Sequence, residues 1–173
     1  MIFKDYISEK RNTIRYVLGR YEKNPMIVVG INPSIATNEK NDNTITIIEN
    51  IARQRGYDGF IMFNVYPLRA TRIDNNFPYI CDEDIISRNV QYFKEKINEG
   101  DKIVAVWGTH ICDRDYFTKS LKYLDNAIKE AGAEWICLAK TKSGHPHHPT
   151  RLAYNKMTFE SFDMDSYLNK GMI

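Results

Sequence analysis

The chain has 173 residues, 43% of them hydrophobic and 27% charged, with a net charge of +2. That length fits one domain burying roughly two thirds of its extended surface. The near-neutral balance argues against a broad basic surface for nucleic acid. No apolar run reaches the ~18 residues of a membrane span, and Lys4, Asp5, Glu9, Lys10 and Arg11 break the start of the chain, so a cytoplasmic protein without membrane contact is expected. Cys81, Cys112 and Cys137 are scattered, without zinc-finger spacing, and Cys137 reads as a small buried hydrophobe.

Apolar positions at Tyr6, Ile7, Ile14, Val17, Leu18 and Tyr21 predict a first helix over about residues 5–21. Residues 26–29 read as a buried strand stopped by Gly30, and a polar loop over 32–43 feeds a helix over about 43–55. After the turn at 56–59, residues 60–63 form a second apolar strand. The loop over 64–82 exceeds ordinary connection lengths, which favours a binding or active-site role. A helix over about 84–99, a third strand over 102–107, a helix over about 116–131 stopped by Gly132, and a fourth strand over 135–138 complete the series. Continuous apolar strands alternating with helices predict a single α/β domain over 1–173. Its expected architecture is a three-layer sandwich around a mostly parallel four-stranded sheet.

In such a sheet, ligands bind beyond the carboxyl ends of the strands. Four polar motifs begin there: Gly30-Ile31-Asn32-Pro33-Ser34, Asn64-Val65-Tyr66-Pro67, Trp107-Gly108-Thr109-His110, and the loop Ser143-Gly144-His145-Pro146-His147-His148-Pro149. That last loop carries three of the four histidines of the chain. The first motif lacks both the Gly-x-Gly-x-x-Gly series and a Walker lysine-serine pair, so no cofactor is indicated.

The amide of Asn32 offers donor and acceptor together, suited to a water or a substrate edge, or else to capping a turn. Ser34 is either a substrate contact or a helix cap. Asp42 either caps the helix that follows or orients a water as general base. Asn64 can pair bidentately with the amide edge of a base, and Tyr66 can stack on that ring or belong to the core. Arg69 and Thr71 have the fork and hydroxyl to hold a phosphate or carboxylate. Trp107 is a core residue or a pocket wall. A metal site from His110, His145 and His148 with Asp42 or Asp113 is conceivable, yet adjacent His147 and His148 cannot easily face one ion and no metal-binding helix motif is present. An imidazole serving a ligand anion fits better, and no metal is assigned.

Taken together, Asn32-Pro33-Ser34, Asp42-x-Thr44, Asn64 followed by Arg69-Ala70-Thr71, Trp107-Gly108 and Thr141-x-x-Gly144-x-Pro146-x-His148-Pro149 resemble the bacterial and phage family known as domain of unknown function 1643, over about residues 11–151. More distantly, the four strand ends resemble those of the uracil-DNA glycosylase superfamily, whose fold is a four-stranded parallel sheet between helices. Gly30-Ile31-Asn32-Pro33 is similar to the first-strand motif of its mismatch-specific branch. Asn64 is similar to its base-recognising asparagine, and His148-Pro149-Thr150 to its late His-Pro-Ser motif.

The resemblance implies water positioning by Asn32, contact of His148 with the departing base, and Arg151 near DNA at the rim. The expected reaction is hydrolysis of a nucleobase N-glycosidic bond, with Asn32, Asp42 and His148 catalytic. Ser34, Asn64, Tyr66, Arg69, Thr71, Trp107, His110, His145 and Arg151 are the expected substrate contacts. The expected partner is a nucleobase-containing small molecule or DNA. The alternatives are a non-catalytic nucleotide or modified-base binding protein and a metal-assisted hydrolase.

Overall fold

The computed structural model describes residues 5–37 and 40–169. Seven strands, β1 (Asp5–Glu9), β2 (Ile14–Arg20), β3 (Pro25–Gly30), β4 (Gly59–Asn64), β5 (Lys102–Ala105), β6 (Glu134–Cys137) and β7 (Glu160–Ser161), form one mixed sheet in the order β1-β2-β4-β3-β5-β6-β7. The four strands expected from sequence are its central block, β4-β3-β5-β6, and run parallel. The expected four-stranded sheet is therefore corrected to seven. β1 and β2 extend it antiparallel beyond β4, and β7 pairs antiparallel with β6. Among the described residues four α-helices accompany it: α1 (Asn43–Gln54), α2 (Glu83–Lys94), α3 (Asp115–Ala131) and α4 (Met164–Asn169).

The predicted first helix is instead the β1–β2 hairpin. Lys10, Arg11 and Asn12 turn the chain in the left-handed region, at φ of 48°, 55° and 66°, a conformation that asparagine tolerates better than most residues. Tyr6 Oη donates to Asn12 Oδ1 at 2.6 Å and ties the turn to the strand. The signals for strand are the β-branched and aromatic residues Ile14, Tyr16 and Val17 and the helix-weakening Gly19. Packing of β2, buried from Ile14 to Gly19, outweighs the approximate helical spacing of its apolar residues.

Side chains along the parallel strands alternate between two cores, as the period of two requires. Ile27, Val29, Ile61, Phe63, Ile103, Ala105 and Trp135 pack under α2, α3 and α4, with Phe93, Leu121, Leu124, Ile128 and Tyr167. Met26, Val28, Phe60, Met62, Val104 and Ile136 pack under α1, with Ile45, Ile48 and Ile51. The sheet is thus covered on both faces.

From β3 the chain passes through α1 to β4 on one side, then through α2 back across β3 to β5 on the other. This reversal leaves a crevice between the carboxyl ends of β3 and β5, the switch point at which such sheets take ligands. Asp58 anchors the turn before β3, its carboxylate accepting from the backbone N–H groups of Glu22, Lys23 and Asn24 at 3.1, 2.6 and 2.8 Å.

Candidate functional site

A cavity of about 470 Å³ lies at that crevice, on the face covered by α1. Gly30, Met62 and Asn64 line it from β3 and β4, and Asp42, Thr44 and Ile45 from the start of α1. Asn32, Ser34, Ala70 and Thr71 line it from two loops, and Gly108, His110, Thr141, His147, His148 and Arg151 from the loops after β5 and β6. The volume suits a small organic ligand.

The floor is set by two adjoining strand ends. Gly30 pairs with Asn64 in the β3–β4 ladder, and a Cβ at Gly30 would stand 2.5 Å from Met62 Cε and 3.0 Å from Asn64 Oδ1. Glycine there lets both side chains lie across β3. Asn64 is 1% exposed, and neither its Oδ1 nor its Nδ2 has a hydrogen-bond partner. Its backbone carbonyl, by contrast, accepts from Asn89 Nδ2 at 2.8 Å, which fixes the residue from the opposite face.

Asn32 is oriented by its own amide nitrogen, which donates to the carbonyls of Ala70 at 2.9 Å, Pro33 at 3.2 Å and Leu68 at 3.5 Å. Those bonds leave Oδ1 as the acceptor of that side chain. Asp42 is the N-cap of α1, with Oδ1 accepting from Ile45 N at 2.9 Å, and its other oxygen remains for a water or ligand.

His148 Nδ1 faces Thr150 Oγ1 at 2.8 Å and accepts from Thr150 N at 3.4 Å. An accepting Nδ1 places the proton of the neutral ring on Nε2, as a donor. Burial, followed by the positive charges of His110 and Arg151, holds His148 below the usual imidazole range, against the opposing pull of Asp42. Burial alone lowers His145.

Both imidazoles are therefore held neutral on folding, and the unfolded chain binds more protons below its ordinary value of 6.5. Their contribution is complete above that pH and is lost as pH falls through the folded values. Urea titrations are expected to give a lower midpoint at about pH 5 than at about pH 7.5. With His145 and His148 both replaced by glutamine, that part of the difference disappears.

Four expected contacts lie outside the cavity. Tyr66 is core, its hydroxyl accepting from Asp82 N at 3.0 Å. Trp107 is fully buried, and its Nε1 donates to Tyr167 Oη at 3.1 Å. His145 turns into the same core, with Nδ1 2.7 Å from Tyr167 Oη. Arg69 ties loops together by donating to the carbonyls of Ser34, Asn12 and Ala36 at 3.0, 3.3 and 3.2 Å. Each has its polar groups engaged within the fold.

His110 does line the cavity, with Nδ1 2.6 Å from Asp113 Oδ2. With His145 facing the core, the conceivable histidine metal site does not assemble. Among the described residues no three His, Cys, Asp or Glu side chains group to hold a metal ion.

Arg15 and His147 are ionisable residues that line the cavity and are absent from the expected contacts. Arg15 was hidden by the helical reading of β2. His147 was weighed as a metal ligand beside His148, with which it shares a loop.

No curated protein and no solved structure matches this chain. No helix among the described residues is long and apolar enough to cross a membrane. The sequence model of one family, described as Protein of unknown function (DUF1643), matches residues 15–150, from Arg15 in the cavity to the 3-10 turn that follows His148. The chain belongs to that family.

Proposed function

We propose that the cavity binds a nucleobase-type ring and that the protein hydrolyses an N-glycosidic bond to it, in a nucleotide or in DNA. The carrying observation is Asn64, an amide buried at the cavity floor with donor and acceptor both unpaired. Leaving buried polar groups unsatisfied costs about 1–3 kcal/mol each, and a ligand presenting an acceptor beside a donor, as the amide edge of a base does, removes that cost.

The other lining groups fit the reaction. Breaking the bond develops positive charge on the sugar and negative charge on the leaving base. Asn32 Oδ1 and the second carboxylate oxygen of Asp42 are acceptors that orient a water toward the sugar carbon. His148 Nε2–H is a donor for the leaving base. The water oxygen bonds to the sugar carbon as the carbon–nitrogen bond breaks, its proton passes to the Asp42 carboxylate, and the base leaves as an anion held by His148 Nε2–H and takes up a proton from solvent. The reaction class itself comes from the resemblance of Asn32-Pro33 and His148-Pro149 to uracil-DNA glycosylases.

The second reading is a binding protein that retains the same ligand. It is favoured by Asp42 and Asn32, each of which already serves a structural hydrogen bond. Release of free base from a panel of nucleosides, nucleotides and modified oligonucleotides separates the two. Turnover that falls in Asp42→Asn with ligand affinity kept establishes the hydrolase. Ligand retention without turnover establishes the binder, and absence of both defeats the ring-binding proposal.

A further inference from the structure

Arg15 is a buried cation with almost nothing to balance it. It is 2% exposed on β2 and lines the cavity, yet the group its Nη1 meets is a backbone carbonyl, Ala36 O, which accepts at 2.7 Å. Its Nε has no partner, and among the described residues it forms no ion pair. A guanidinium carries five N–H donors, and a buried charge without a counter-ion is strongly unfavourable. Arg69 Nη2 reaches the same carbonyl at 3.2 Å, so two cations converge on one oxygen. Burial and the proximity of Arg69 hold Arg15 down at about 10, with Asp42 only partly offsetting them.

Both cations donate to carbonyls of the loop after β3, which also supplies Ser34 to the cavity wall. Thr44 and Thr71 line the same cavity and carry hydroxyls. A guanidinium with free donors among hydroxyl groups is suited to a phosphate.

We propose that Arg15 is the anion-binding group of this cavity and that the ligand is a nucleoside monophosphate, its base at Asn64 and its terminal phosphate at Arg15. This assignment of substrate class rests on the ring-binding reading above. A terminal phosphate is favoured over an internal diester because Arg15 is sealed within the fold and is reached through the cavity. A continuous strand would have to thread that space, and the chain carries a net charge of only +2 with which to hold one.

The test is calorimetric titration of the full chain with nucleosides, their 5′-monophosphates, ribose 5-phosphate, inorganic phosphate and a single-stranded oligonucleotide without terminal phosphate. The wild type is expected to bind at least one monophosphate about 10–100-fold more tightly than its nucleoside, the range of a charge-assisted hydrogen bond. Arg15→Gln is expected to reduce that ratio to within about 3-fold, and Arg15→Lys to restore it in part. The wild-type comparison stands even where the Arg15 variants do not fold.

Equal affinity for nucleoside and monophosphate overturns the anion site while the ring-binding reading stands. Ribose 5-phosphate or phosphate binding as tightly as every nucleotide overturns the substrate class together with that reading. Preference for the oligonucleotide over all monophosphates overturns the assignment in favour of a polymer substrate.

Discussion

Asn64→Leu is expected to make the ligand-free protein more stable while removing ligand binding. Asparagine and leucine side chains share the same branching at Cγ, and the substitution deletes two buried polar atoms that have no partner. The expected gain is about 1–2 kcal/mol, because an unsatisfied buried group costs about 1–3 kcal/mol. Affinity for any nucleobase ligand falls at least about 30-fold through loss of two hydrogen bonds. Denaturant unfolding and calorimetry on the same preparation measure both. A structural asparagine would instead lose stability on substitution, so the opposite signs of the two effects identify a residue placed for a ligand.

Gly59→Ala is expected to have the largest effect on folding. A Cβ there would stand 1.9 Å from Arg20 O and 2.7 Å from Tyr21 Cα, both backbone atoms that cannot move without shifting β2. Gly59 opens β4, which pairs with β3 at Pro25 and runs antiparallel to β2 at its next residue. Relief requires separating strands that carry Arg15 and Asn64. The loss is expected to be about 3 kcal/mol or more, a fall in melting temperature of roughly 6–12 °C for a domain of this size. Gly56→Ala, at an open turn with φ of 82°, meets no neighbour within 4 Å and serves as the control, losing only the cost of left-handed backbone.

The central strands and the helices between them were legible because each is a run of apolar residues bounded by glycine or a cap. Asp42 before α1, Gly132 after α3 and Gly30 as the last residue of β3 all stand at element ends. The edges of the sheet were not legible. The turn between β1 and β2 holds no glycine or proline, so three residues at positive φ left no mark in the composition. Strand β7 has two residues, too few for any periodicity to show.

The site followed the same division. Strand ends gave its address, and Asn32, Ser34, Asp42, Asn64, Thr71, His110, His148 and Arg151 all line the cavity. Arg69 and His145 were chosen for chemistry that their surroundings have already consumed, in loop carbonyls and in the Tyr167 hydroxyl. Side-chain type indicates what a residue can bind, while burial and existing partners decide whether it is free to do so. Arg15 illustrates the converse, since its chemistry matched Arg69 but its strand was misread, and its Nε is left unpaired.

Crystals of the protein soaked with the common nucleoside monophosphates test the central claim most directly. A base is expected in the cavity with its amide edge on Asn64, both the Oδ1 and Nδ2 atoms lying about 2.7–3.2 Å from a ring donor and acceptor. A nucleotide bound elsewhere, with the Asn64 amide still unpaired, would contradict it.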